Sequence, residues 1–79
     1  MNRDDQERKH FIEAQLEWIQ KRDAILVEIE EKLHDMKRIA EYARDQVLSS
    51  SELNRLNRQL YDLQQEVDLL DKQLHSVEH

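Results

Sequence analysis

Glycine, proline and cysteine are missing altogether from this sequence of 79 residues. Without glycine the chain has no cheap access to left-handed backbone, and without proline it has no pre-set turn position. Tight turns and phosphate-cradling loops are therefore excluded. Without cysteine there is neither a disulfide nor a thiol nucleophile. Long apolar runs are missing as well: Ala24–Val27 is the longest, against the roughly 20 residues a membrane-spanning helix needs. Met1-Asn2-Arg3-Asp4-Asp5 leads into no apolar segment, so no secretion signal and no membrane partner are expected, and a cytoplasmic protein is. A basic surplus is also lacking. Against 18 acids stand 12 bases, for a formal net charge of -6. Nucleic acid demands a basic footprint, and the one local candidate, Arg55 with Arg58, is followed by Asp62, Glu66, Asp68 and Asp71.

What is present is helical material. Charged residues make up 38% of the chain, with Gln, Leu, Ile and Glu prominent, a composition typical of long helices and coiled coils. The length allows a single, thin domain. One internal boundary stands out at Leu48-Ser49-Ser50-Ser51-Glu52-Leu53. Ser49 and Glu52 have the spacing of a capping box, and Leu48 with Leu53 has that of a hydrophobic staple. Three serines in a row also weaken any helix running through them.

Apolar spacing supports a break there. Leu53, Leu56, Leu60, Leu63, Val67, Leu70, Leu74 and Val77 alternate by three and four, as a coiled-coil seam requires. Upstream, Ile12, Ile19, Leu26, Leu33, Ala40 and Val47 recur every seven residues, with Ile29, Met36 and Ala43 at the complementary places. The phase jumps at the serines. The expected fold is all-α: an antiparallel two-helix coiled-coil hairpin, helix one over about 4–47, a turn at about 48–50 and helix two over about 50–77, in one domain spanning 1–79. Folding back at residue 48 sets Leu26, Ile29, Leu33 and Met36 against Leu70, Val67, Leu63 and Leu60, with Leu53 and Leu56 near the turn. It also places Lys32 opposite Glu66, and it sets Arg22 poorly against Leu74, so the open end is expected to loosen.

Residues 1–18 would then overhang the second helix, and the overhang carries Phe11, Ile12, Leu16 and Trp18. Phe11, Trp18, Ile25 and Ile39 form a second line, spaced by multiples of seven, beside the expected seam. So broad a stripe suits bundles of more than two helices. The expectation is a homodimeric four-helix bundle, with Phe11, Ile12, Leu16, Trp18 and Ile25 as the surface for self-association or for a partner protein's helix.

Catalytic chemistry finds little support. Glu7–His10 and Glu31–His34 have the Glu-x-x-His spacing of di-iron bundles, but both pairs fall away from the expected seam and helix two has no acidic seam position. His75 and His79 stand one turn apart, a spacing open to a surface zinc but far better explained by a solvated terminus. Ser49, Ser50 and Ser51 have no His or Asp at a triad-like spacing. No enzyme, no metal and no cofactor are expected.

Leu48-Ser49-Ser50-Ser51-Glu52-Leu53, continuing through Leu56 and Leu60, resembles the turn and second helix of the small two-helix aspartyl-phosphate phosphatases of sporulating bacilli. Ile29-Glu30-Glu31 through Met36 and Ala40 is similar to that family's first helix, so the likeness covers roughly residues 29–65. The family signature is Ser-Gln-Glu-Leu-Asp. The matching stretch here is Asn57-Arg58-Gln59-Leu60-Tyr61, which keeps the leucine and replaces the functional acid with tyrosine. The resemblance implies a small regulator binding a response-regulator receiver domain without the phosphatase step. The residues themselves point first to a non-enzymatic interaction module that self-associates and docks a partner helix or complex.

Overall fold

The computed structural model describes residues 3–77 as two helices, α1 (Arg3–Asp45) and α2 (Ser50–Val77). Asp4 and Asp5 sit in the first turn of α1 and Arg44 in its last, each with the sign that the helix dipole favours. The final α1 backbone bond runs from the Gln46 N–H to the Tyr42 carbonyl at 3.1 Å. The helix therefore stops two residues short of the expected 47. No described residue has a positive φ, so α1 ends without the left-handed cap that glycine usually supplies.

The start of α2 follows the serine signal. Ser49 Oγ accepts from the Glu52 N–H at 3.2 Å, and the Ser49 carbonyl accepts from the Leu53 N–H at 3.0 Å, so Ser49 is the N-cap. The reciprocal half of the box differs from expectation. The Glu52 carboxylate accepts from the Ser49 hydroxyl at 3.2 Å rather than from a backbone N–H.

The chain folds back into an all-α helical hairpin with extents of 71 × 18 × 11 Å. Two contacts set its alignment. Lys32 Nζ lies 3.0 Å from Glu66 Oε2, and the Trp18 indole N–H donates to the Val77 carbonyl. At ~1.5 Å per residue α1 is about 65 Å long and α2 about 42 Å. The difference is the overhang before Trp18, as the sequence leads one to expect.

On α2 the sheltered positions are Leu56, Leu60, Leu63, Val67, Leu70, Leu74 and Val77, the anticipated seam. Leu53 departs from it and is exposed, since the chains diverge into the linker there. On α1 the sheltered line is Trp18, Arg22, Ile25, Ile29, Lys32, Met36, Ile39 and Ala43. This corrects the expected seam. Ile29 and Met36 belong to it, but Leu26 and Leu33 stand outside it, 37% and 48% exposed, while Ile25 is inside at 9%.

Two apolar tracks, one residue apart, both fit Ile29, Met36 and Ala43. The track adopted shelters Ile39 and leaves the smaller Ala40 exposed. Its cost is a lysine in the seam, which is met because the Lys32 stem packs while its ammonium reaches Glu66. The core is thin: Ile25, Leu56 and Leu70 are the buried apolar residues among those described.

The open end is closed rather than loose. Trp18 donates to one of the orphan carbonyls that every helix C-terminus leaves, and the Arg22 guanidinium lies 5.5 Å from the Trp18 ring centroid, within cation–π range. Arg22 Nε is buried there with no hydrogen-bond partner.

Candidate functional site

The rotation of α1 gives the hairpin two unlike edges. One border of the seam is formed by residues that precede seam positions: Glu28 and Asp35 on α1, Gln59, Glu66 and Gln73 on α2. Shallow grooves on this side are lined by Asp35, Arg38, Ile39, Gln59, Asp62, Leu63 and Glu66, and further along by Glu28, Lys32, Glu66, Leu69, Leu70 and Gln73. This edge sets charged groups around apolar groove walls, with Leu69 exposed on it. Glu66 holds the Lys32 ammonium above its usual 10.5, first by the hydrogen bond and then by charge, with Glu28 and Asp35 adding to it.

The other border is formed by residues that follow seam positions. On α1 these are Ile19, Leu26, Leu33 and Ala40, and Ile12 continues the line onto the overhang. All five are exposed. On α2 the corresponding residues are Asn57, Gln64 and Asp71, which are polar and cover nothing. An apolar strip therefore runs along one edge of α1 from Ile12 to Leu33, about 32 Å at helical rise, and Leu16 widens it on the overhang. Exposed apolar residues repeated along one helix edge are candidates for an interaction surface, in contrast to scattered single residues.

Of the residues expected to bind a partner, Phe11, Ile12 and Leu16 stand open, with Phe11 64% exposed. Trp18 is half-buried against Val77 and Arg22. Ile25 is withdrawn into the seam, so it is removed from the binding set. Ile19, Leu26 and Leu33, read from sequence as seam, take its place on the surface. Their spacing of seven was visible in the sequence; which of two adjacent tracks faced outward was not.

Glu7, His10, Glu31 and His34 are all exposed, and no group of three or more metal-ligating side chains occurs among the described residues. His75 Nδ1 lies 2.7 Å from the Asp71 carbonyl oxygen; His79, its expected companion, lies outside the described residues. In the stretch matching the phosphatase signature, Leu60 is half-buried in the seam and Tyr61 is 65% exposed. Among the described residues no helix is long and apolar enough to cross a membrane. The chain matches no protein-family model, no curated protein and no solved structure.

Proposed function

We propose that this chain is a non-enzymatic helical interaction module: an antiparallel coiled-coil hairpin that pairs edge to edge with a second copy as a homodimeric four-helix bundle, and exchanges that mate for a partner helix. The observation that carries the reading is the uncovered apolar edge Ile12–Ile19–Leu26–Leu33. The alternation of sheltered residues by three and four on both helices supports the coiled-coil description.

Surface area supports association. The chain exposes 6769 Å², whereas a compact monomer of its 9.6 kDa exposes about 5,100 Å². The excess, about 1,700 Å², is roughly twice what each partner loses in a standard interface. Equilibrium sedimentation tests the proposal. At tens of micromolar the intact chain is expected at twice 9.6 kDa, and Leu26→Asp with Leu33→Asp is expected to return it to monomer without loss of helicity. A wild-type chain that sediments as a monomer at that concentration contradicts the dimer.

A further inference from the structure

The apolar edge is not electrically neutral, and its charge says which helix it suits better. Around Leu26, in the half of the strip nearer Leu33, the neighbouring α1 positions one turn away on the outer side are Asp23 and Glu30. Across the seam on the same edge, α2 contributes Asp71 and, one turn on, Asp68. All four are exposed. The bases bordering the strip, Lys9 and Lys37, stand at its far ends, and Arg22, the nearest base to the middle, has its guanidinium over Trp18. The strip thus carries an acidic border around Leu26, between bases at its two ends.

Two copies laid strip on strip with full overlap bring acid against acid: in parallel register all of these carboxylates meet their counterparts, and in antiparallel register Asp23, near the strip's midpoint, comes level with its own counterpart. Like charges brought together across an interface select against a pairing, and opposite charges select for one. We infer that the preferred occupant of this edge is an amphipathic helix from another protein, with an apolar face of four or so large aliphatic residues at heptad spacing bordered centrally by Lys or Arg. The inference rests on the reading that the edge docks helices. Within it, the second copy is the weaker occupant, favoured by salt, and the basic-bordered helix is the stronger one, disfavoured by salt. Phe11 and Leu16 extend the contact onto the overhang, where α2 is absent and an incoming helix can approach α1 from either side.

Two synthetic helical peptides with the same heptad leucine face test this, one bordered by Lys and one by Glu, each labelled for anisotropy and titrated with the full chain. At about 0.02 M salt the Lys-bordered peptide is expected to bind about tenfold more tightly, and at about 0.5 M salt the two are expected to converge, as screening shortens the reach of exposed charges. Asp23→Asn with Glu30→Gln is expected to remove the preference while keeping the binding, whereas Leu26→Asp is expected to remove the binding itself. Equal binding of both peptides at low salt overturns the charge inference and leaves the docking reading standing. Binding of neither peptide to a chain that sediments as a dimer overturns the inference in favour of the second copy. Binding of neither to a monomeric chain overturns the docking reading as well.

Discussion

Ile25 and Leu26 are adjacent in sequence, alike in size and composition, and opposite in fate, so truncating each in turn tests the architecture at its most informative point. Removing the three outer carbons of a fully buried isoleucine forfeits roughly 2.4 kcal/mol, at about 0.8 kcal/mol per buried methylene equivalent. Ile25 is 9% exposed, so Ile25→Ala is expected to cost about 2 kcal/mol before any cavity contribution. Leu26 is 37% exposed, so the same scaling gives about 1.5 kcal/mol for Leu26→Ala. The assay is urea unfolding followed by circular dichroism, at concentrations low enough that the midpoint no longer depends on concentration. The midpoint shift is then read at constant m-value. At high concentration the Leu26 variant is expected to lose the extra stability that association contributes, while the Ile25 variant keeps the same concentration dependence as the parent. Should Leu26→Ala prove the costlier of the two in the monomer, α1 faces α2 through the Leu26–Leu33 track, and the apolar edge with everything built on it falls.

Ser49→Ala removes the acceptor of the Glu52 N–H and is expected to cost about 1 kcal/mol in the same unfolding assay; an unchanged midpoint excludes Ser49 as a stabilising cap. Trp18→Phe keeps the ring and loses the N–H that caps the Val77 carbonyl. It is expected to cost about 1 kcal/mol and to speed hydrogen exchange over residues 74–77, with unchanged exchange there arguing against the closed end. Lys32, held above its usual 10.5 by Glu66, is a group whose folded pKa is raised. The stability it contributes is fully present below pH 10.5 and is lost as pH rises through the folded value. Glu66→Gln is expected to flatten that alkaline decline, and an identical alkaline limb in both proteins refutes the coupling.

Several features needed no structure because the physics behind them is local. The break at the serines follows from Ser49 and Glu52 alone, since a cap is satisfied within four residues of chain. The α2 seam from Leu56 to Val77 was legible because its seven positions are apolar while the flanking Asn57, Gln59, Gln64 and Glu66 are polar, leaving one way to bury it. The overhang followed from length, because a helix of 28 residues cannot cover one of 43.

The α1 face was not legible, and the reason is degeneracy. Trp18, Ile25 and Ile39 form one apolar track; Ile19, Leu26, Leu33 and Ala40 form another beside it. Both mesh with Ile29, Met36 and Ala43, so periodicity alone leaves the helix free to rotate by about half of one residue's step, roughly 50°. Counting apolar residues favoured the track with Leu33 over the one with Lys32. What decided otherwise are contacts that exist only between the helices: the Lys32 ammonium on Glu66 and the Trp18 N–H on the Val77 carbonyl. That rotation turned Leu26 and Leu33, half of the expected seam of α1, outward and made them part of the candidate site. The sequence by itself determined that α1 carries more apolar surface than one partner helix can cover. Only the tertiary structure decided which part α2 covers, because burial on a two-sided stripe is set by what the opposing helix presents at each level.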